Sequence, residues 1–412
     1  LEMLWPEKRQ LSKLQITLKF PVSFPDEKEG LFLKLILCND DDFISLWELW
    51  QKETVFDDIS HSIAGLLPLL YLRLKKFNIQ NKITGRIKGV YKLAWFKNQK
   101  LIEETRKIGE IFNKNKIPFI LLKGIPLLLN VYKERGARVL GDIDILINPE
   151  QAIETVNLLL KNGWNYKLHP NISSINESTV FCLNKLTHAT TFINEQNLEL
   201  DIHWNPFHID INSHTSSLLL LKNFEPMIFN HQLWDNSVEI LVNKEPCKRL
   251  CIEDMLIHVI VHGARECANK TLRWVTDSVY IIRNFEINWT LLLENTNFFD
   301  FNVEIFLGLS YLRKNYPVNI PETVMNEIYS LPLNKNKINQ YYKNSKAVFS
   351  ILGYNTPAQW YRYWKFEPKR KFPLNCYDLI DFLAKSWGLN HKRQIPLFIA
   401  GKYSKKIKQI YN

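Results

Sequence analysis

The stretch Gly141-Asp142-Ile143-Asp144-Ile145-Leu146-Ile147 decides the fold prediction for this chain. The apolar run Ile143–Ile147 is typical of a buried strand. Residues two apart on a strand point the same way, so Asp142 and Asp144 should place two carboxylates side by side. Adjacent carboxylates repel, and a hard divalent cation such as Mg²⁺ removes that repulsion through oxygen ligands. The stretch therefore predicts a strand end that binds metal.

A second strand is predicted upstream, at Ile117-Pro118-Phe119-Ile120-Leu121-Leu122-Lys123-Gly124. A helix over Leu127–Tyr132 should follow it directly. Gly124 at the strand-to-helix turn permits close approach of a phosphate to the backbone, and Lys123 supplies a cation to neutralise it. Arg138, in the charged loop before the paired aspartates, is a further candidate for phosphate binding; a solvated loop charge is the equal alternative.

A third carboxylate comes from the predicted strand Leu198-Glu199-Leu200-Asp201-Ile202-His203-Trp204. Alternation puts Glu199, Asp201 and His203 on one face. We select Asp201 as the catalytic carboxylate that binds metal and helps to deprotonate the acceptor, because the central position is the best shielded by neighbouring strands, and Glu199 is the competitor. His203 has two open roles, orienting a ligand or serving the structure.

The periodicity of the remaining chain is mostly helical. Helices are predicted from Asp40, near Ile59–Lys76, from Asn81 onwards, over Gln151–Asn162, over Ile252–His262 and over Thr271–Asn284. We predict an α+β fold, a small mixed β-sheet core flanked by helical lobes. The expected domains are a helical N-terminal lobe (1–98), the core (99–212) and a mostly helical C-terminal lobe (213–412).

Composition narrows the class of protein. The formal net charge of +11 favours anionic partners such as nucleoside triphosphates or RNA, although the lysines are spread along the whole chain. Six cysteines without a CxxC pair fit reduced thiols in a cytoplasmic protein. No apolar run approaches the ~20 residues of a membrane helix, so no membrane partner is expected.

These motifs together resemble the uncharacterised nucleotidyltransferase family of the polymerase-beta-like superfamily. The likeness extends from the helical region near Trp47 to the helix around Asp277. The residues that carry it are Leu122-Lys123-Gly124, Tyr132, Arg138, Asp142-Ile143-Asp144-Ile145-Leu146-Ile147 and Leu200-Asp201-Ile202-His203-Trp204.

The resemblance implies a catalytic metal set of Asp142, Asp144 and Asp201, with Mg²⁺ or Mn²⁺ as cofactor and a nucleoside triphosphate as substrate. Superfamily members usually carry Gly-Ser at the first turn. Ile125 stands in place of that serine, so nucleotide binding should rely more on the preceding lysine.

The likeness extends to three further places, His188, His262 and the helix from Lys270 to Asp277. His188 is a candidate for contacting nucleotide or acceptor, with a structural role as the equal alternative. On the helix near Trp274, Arg273 can pair with Asp277 one turn later, and Lys270 or Arg273 is a candidate for reaching the triphosphate.

The expected activity is transfer of a nucleoside monophosphate to a peptide, a sugar or another small molecule, as in natural-product tailoring. The alternatives are a tRNA nucleotidyltransferase or toxin, glycosyl transfer from a sugar nucleotide, and a catalytically silent peptide- or RNA-binding protein. Aromatic and basic residues interleave in Tyr361–Lys371, a combination that suits nucleic acid. A nucleic-acid partner is nevertheless the less favoured one.

Overall fold

The computed structural model describes residues 24–167, 189–207, 232–264, 272–331, 392–394 and 396. Within these ranges, seven short strands form a mixed sheet, and helices make up most of the remaining structure. The α+β fold predicted from the sequence is confirmed. In this part of the chain no helix has both the length and the apolar character that crossing a membrane requires.

The region before the first strand is helical, as predicted. Its helices are α1 (Glu27–Leu37), α2 (Asp40–Glu53), α3 (His61–Ala64), α4 (Leu67–Lys76) and α5 (Lys82–Lys114), with a 3₁₀ turn at Phe56–Asp58. Three acidic residues begin α2, where the positive end of the helix dipole favours them. The Asn81 side chain accepts a hydrogen bond from the Thr84 amide and caps α5. The predicted long helix is thus one continuous element of 33 residues.

Two strands, β1 (Phe119–Leu122) and β2 (Ile143–Ile147), carry the predicted phosphate and metal motifs. Two more, β6 (Val238–Val242) and β7 (Glu245–Arg249), continue the sheet beside β1, in the order β2-β1-β7-β6. All residues of β1 and β2 are buried. β1 runs parallel to β7, with Leu121 opposite Arg249. After β1, the chain makes one helical turn, α6 (Gly124–Pro126), and a π-helix, Leu127–Tyr132, where the sequence predicted a helix.

The hairpin of β6 and β7 lies in the region beyond Pro206, for which the sequence predicts mostly helices. Its strands pair in antiparallel register from Val238 opposite Arg249 to Val242 opposite Glu245. The two turn residues, Asn243 and Lys244, both have positive φ angles of 47° and 75°. This conformation is typical of the two-residue turn that matches strand twist.

The remaining three strands are β3 (Asn165–Tyr166), β4 (Ala189–Ile193) and β5 (Glu199–His203), an antiparallel set in that order. Thr191 lies opposite Asp201 in this register. Helix α7 (Ala152–Lys161) precedes them, after a 3₁₀ turn at Pro149–Gln151. Gly163, just after this helix, has a φ of +84°, the left-handed conformation typical of a helix end.

Five helices follow β7 in the described chain: α8 (Ile252–Ala264), α9 (Arg273–Asn284), α10 (Trp289–Phe298), α11 (Asn302–Asn315) and α12 (Glu322–Ser330), with a 3₁₀ turn at Lys392–Gln394. Helices α8 and α9 approach closely. A Cβ atom added at Gly263 would lie 2.2 Å from the Cβ of Trp274, so only glycine fits there. This contact fixes the start of α9, which carries residues of the site described below.

Candidate active site

A pocket lies where β1 ends and β2 begins. Six of the residues selected from the sequence line it: Lys123, Gly124, Arg138, Asp142, Asp144 and Arg273. Asp277 and two histidines of α8 line it as well. The pocket therefore combines three basic side chains with three carboxylates.

Lys123 and Asp144 form an ion pair in this pocket, with 2.6 Å between Nζ and Oδ1. The Asp144 side chain is only 3% exposed. The backbone of Lys123 has φ +48° and ψ −106°, a conformation that non-glycine residues rarely adopt. The strain is found at the turn that also carries Gly124, a common situation at functional sites.

The two aspartates of the opening motif have different surroundings. Because β2 begins at Ile143, Asp142 is the residue just before the strand and Asp144 is inside it. Asp142 is half-buried, whereas Asp144 is buried. Both line the same pocket.

Arg138 is held by Asp277 of α9. Its Nε and Nη2 atoms donate to Oδ1 and Oδ2 of Asp277 at 2.9 and 3.0 Å, a bidentate pair. The Tyr132 hydroxyl donates to the same carboxylate at 2.7 Å. Burial tends to lower the pKa of Arg138, but the charge and hydrogen bonds of Asp277 outweigh it and raise that pKa. Burial and then the charge of Asp277 raise the pKa of Tyr132 well above its usual value.

The remaining nitrogen of this guanidinium faces the glycine turn. A Cβ atom added at Gly124 would lie 3.4 Å from Nη1 of Arg138 and 3.0 Å from Cδ2 of Leu140. A side chain at position 124 would therefore fill the space in front of Nη1. The glycine keeps that space open for a ligand.

Asn98 fixes the loop that carries Arg138. Its side-chain amide, fully buried in α5, donates to the backbone carbonyls of Arg135 and Arg138 at 2.7 and 2.8 Å. Its side-chain oxygen accepts a hydrogen bond from the Leu140 amide at 3.2 Å. This residue was not predicted from the sequence, although a polar side chain on the apolar face of a helix was a usable signal.

Arg273 begins α9 and donates from Nη1 to the carbonyl of Val139 at 2.8 Å. Burial, followed by the charge of Arg138, lowers the pKa of Arg273. Helical spacing suggested an Arg273–Asp277 pair. Asp277 receives a bidentate contact from Arg138, a residue of the distant loop.

Asp201 and His203 lie two residues apart on β5, the first half-buried and the second buried. Glu199, the competitor of Asp201, forms a 2.6 Å ion pair with Lys167, and both side chains are more than a third exposed.

Two further predicted residues, His188 and Lys270, and the segment Tyr361–Lys371 lie outside the described residues. Conversely, His258 and His262 line the pocket but were not selected as site residues. They are four apart on α8, and their rings are 6.4 Å apart at an edge-to-face angle. Their helical spacing was the signal that could have placed them on one face.

A solved structure of another protein aligns with part of this chain. An antigenic nucleotidyltransferase-like protein from Paracoccidioides brasiliensis aligns with 57% of this chain and 94% of its own, at 12% identity and a TM-score of 0.33. No curated protein matches the chain.

The sequence pattern described as "Uncharacterised nucleotidyltransferase" matches residues 62–317, more than half of the chain. The match includes β1, β2, β5 and α9, which carry the site residues. The resemblance read from the sequence is thereby confirmed, and the chain belongs to the uncharacterised nucleotidyltransferase family, a family of transferases.

Proposed function

We propose that this protein transfers a nucleoside monophosphate from a nucleoside triphosphate to an acceptor and releases pyrophosphate. The observation that carries the proposal is the composition of the pocket at the end of β1. Lys123, Arg138 and Arg273 line it together with Asp142 and Asp144. Cations for a polyphosphate and carboxylates for divalent ions are the two requirements of phosphoryl-type transfer.

The basic side chains bind the triphosphate in this proposal. Arg138 presents Nη1 across the open space above Gly124, while Asp277 holds its other two nitrogens. Arg273 is buried beside it, so a phosphate here would meet cations in a medium of low dielectric. Lys123 exchanges its contact with Asp144 for a phosphate oxygen.

The donor set fits a divalent metal. Asp142 and Asp144, which line the pocket, provide carboxylate oxygens, and Asp201 of β5 provides a third carboxylate. Carboxylate oxygens are the ligands that Mg²⁺ and Mn²⁺ prefer. Asp142, Asp144 and Asp201 are the proposed ligands of Mg²⁺ or Mn²⁺. When bound, these ions neutralise charge on the phosphates and activate the attacking oxygen.

The reaction forms one bond and breaks one. An acceptor oxygen attacks the α-phosphorus in line, and the bond from that phosphorus to the bridging oxygen breaks. Pyrophosphate leaves with the electron pair of that bond. Asp201 takes the proton of the acceptor hydroxyl, and His203 orients the acceptor. His188 and Lys270 are further candidates for contacting the nucleotide.

The acceptor we favour is a peptide, a sugar or another small molecule, as in natural-product tailoring. A cytoplasmic location is part of the proposal because nucleoside triphosphates are made there. The described cysteines, Cys38, Cys247 and Cys251, are free, in keeping with a reducing compartment.

The proposal is tested by measuring transfer of a labelled phosphate from the nucleotide to an acceptor. The protein is incubated with each of the common nucleoside triphosphates, labelled at the α-phosphate, with Mg²⁺ or Mn²⁺ and with separate pools of peptides, polysaccharides, metabolites and RNA. Label should pass from α-labelled substrate into one pool, with an equal amount of pyrophosphate. A sugar nucleotide labelled in the sugar tests glycosyl transfer.

Matched variants assign the chemistry to the pocket. Asp142→Asn with Asp144→Asn should abolish label transfer, whereas Asp58→Asn, at an exposed position in the Phe56–Asp58 turn, should leave it unchanged. Equal transfer by the wild type and the double variant would overturn the proposal. Transfer of label from the γ-phosphate of the triphosphate, or from the sugar of a sugar nucleotide, would also overturn the proposal.

A further inference from the structure

The first part of helix α5 has an unusual distribution of charge. Residues 82–102 contain six basic and no acidic residues. The rest of the same helix, residues 103–114, is balanced, with three of each sign. The excess is therefore a local property of this segment and does not follow from the lysine-rich composition of the chain.

Large apolar side chains accompany these charges at the surface. Leu93, Trp95 and Phe96 are 69%, 43% and 55% exposed. Lys100 lies over the Phe96 ring, with its Nζ 4.8 Å from the ring centroid. Exposed aromatic rings beside cations are the recurring components of surfaces that stack bases and neutralise phosphates.

The order of side chains around the helix distinguishes this surface from an apolar stripe. At about 100° per residue, Lys92 lies between Trp95 and Phe96, and Lys100 lies between Phe96 and Leu93. Cations thus alternate with apolar groups. A membrane-binding helix instead presents one continuous apolar face.

The same face also exposes backbone. Gly85 and Gly89, one turn apart, are exposed, and a Cβ atom added at either would meet no atom within 4 Å. Each glycine inside a helix costs about 1 kcal/mol relative to alanine. Their placement leaves room for a ligand to approach the helix closely.

Near the start of the helix, an acidic side chain of a neighbouring element neutralises one of these positive charges. Arg86 pairs with Asp57 of the adjoining 3₁₀ turn. The opposite side of α5, including Ile87, Ala94 and Leu101, is buried in the core. The helix is therefore fixed in the fold, and the exposed lysines 88, 92, 97 and 100 form the basic part of the surface.

We propose that the surface of α5 formed by Lys88, Lys92, Trp95, Phe96, Lys97 and Lys100 binds single-stranded nucleic acid, with bases stacked on the two aromatic rings and phosphates at the lysines. This α5 surface is independent of the proposed chemistry in the pocket. If both hold, an RNA is placed among the acceptors.

The test measures binding of the full chain to fluorescein-labelled oligo(U) and oligo(dT) of twenty nucleotides by anisotropy over a range of salt concentrations. The wild type should bind both, with an affinity that falls as salt rises. Trp95→Ala and Phe96→Ala should each weaken binding about fivefold or more. Replacing Lys92, Lys97 and Lys100 with Gln should reduce the slope of log affinity against log salt by about 0.7 for each phosphate that is no longer neutralised.

The control variant, Lys107→Gln with Lys114→Gln, lies on the balanced part of the same helix and should bind as the wild type does. Circular dichroism verifies that each variant is folded. Unchanged binding by folded Trp95→Ala and Phe96→Ala variants would overturn the proposal. Binding to vesicles of phosphatidylcholine and phosphatidylserine that depends on the same two rings, without binding to oligonucleotide, would overturn it in favour of a lipid surface.

Discussion

Arg138 and Asp277 meet edge to edge, with Nε and Nη2 of the arginine on the two carboxylate oxygens at 2.9 and 3.0 Å. Both side chains are about nine-tenths buried or more. The pair leaves Nη1 directed at Gly124, the turn proposed to receive phosphate. Asp277 thus acts on the proposed substrate through Arg138, as a positioning residue.

Replacing Asp277 with Asn should impair triphosphate binding through a loss of orientation of Arg138. A hydrogen bond to a charged group contributes about 1.5–3 kcal/mol, so we expect the Kd for nucleoside triphosphate to rise about tenfold or more. The Kd for the nucleoside, which has no phosphate, should not change. Isothermal titration of both ligands measures the difference.

A double-mutant cycle gives the control for this prediction. Arg138→Gln removes the cation itself, so adding Asp277→Asn to it should weaken triphosphate binding no further. Additive losses in the double variant would contradict the positioning role of Asp277. A wild type that binds no triphosphate would contradict the proposed function itself, so the two failures are distinguishable.

Tyr132→Phe should destabilise the fold, because it removes the hydroxyl that donates to Asp277 at 2.7 Å. The expected loss in the free energy of unfolding is about 1.5 kcal/mol or more, since the acceptor is buried and charged. Urea denaturation measures it. Tyr280→Phe is the matched control because its ring packs against Tyr132 at a tilt of 30°, with centroids 4.6 Å apart. Equal effects of the two variants would argue against a role for the Tyr132 hydroxyl.

Lys123→Met should lower stability in EDTA and raise the response to metal. The substitution removes a positive charge 2.6 Å from the buried carboxylate of Asp144, at a cost of about 3 kcal/mol. In the variant, a divalent ion that binds the Asp144 carboxylate no longer has to displace the Lys123 ammonium group. Thermal unfolding with and without Mn²⁺ should therefore show a larger increase in Tm for the variant than for the wild type.

Lys107→Met is the control for the metal experiment, because it removes only a surface pair with Glu104. Its Tm should respond to Mn²⁺ as the wild type does. An Mn²⁺ response of Lys123→Met that is no larger than that of the wild type would contradict competition between the lysine and the metal.

Local signals in the sequence predicted much of the fold. The apolar runs ending at Leu122 and Ile147 became β1 and β2, and the helix starts at Asp40 and Lys82 were close to those expected. Such elements depend on burial and capping within a few residues of chain. The β6–β7 hairpin had a weaker local signal, because β7 reads Glu-Pro-Cys-Lys-Arg and the Asn243-Lys244 turn lacks glycine, the usual second residue of such a turn.

The connections within the site could not be predicted in the same way. Arg138 and Asp277 are 139 residues apart in sequence, and Asn98 and Arg138 are 40 apart. Helical spacing suggested Arg273 as the partner of Asp277, since it considers only neighbours along one helix. The tertiary fold supplies Arg138, a residue of a distant loop, as a bidentate partner of Asp277.

The hairpin turn gives a prediction about stability. Lys244 has a φ of +75° and is exposed, so Lys244→Gly should increase the free energy of unfolding by about 1 kcal/mol through relief of backbone strain. Lys248→Gly, inside strand β7, should have the opposite sign because glycine weakens a strand. Urea denaturation at neutral pH measures both. A destabilising Lys244→Gly would contradict the strain argument.

Asp254 should make stability depend on pH. Its carboxylate is 1% exposed, accepts a hydrogen bond from the Asn295 amide at 2.7 Å and contacts the Cys251 thiol at 3.1 Å. Burial outweighs these hydrogen bonds and raises the pKa of Asp254. The folded state therefore binds this proton more tightly than the unfolded chain, whose Asp pKa is about 3.9. The resulting stabilisation is present below that pH and is lost as pH rises through the higher pKa of the folded state.

Asp254→Asn removes this titration while keeping the size of the side chain. The free energy of unfolding of the variant minus that of the wild type should therefore increase as pH rises from about 4 to 7. Urea denaturation at several pH values in this range measures the difference. Asp58→Asn, which replaces an exposed carboxylate, provides the reference for effects of charge alone. A difference between Asp254→Asn and wild type that stays constant across this range would show that burial does not control the proton on Asp254.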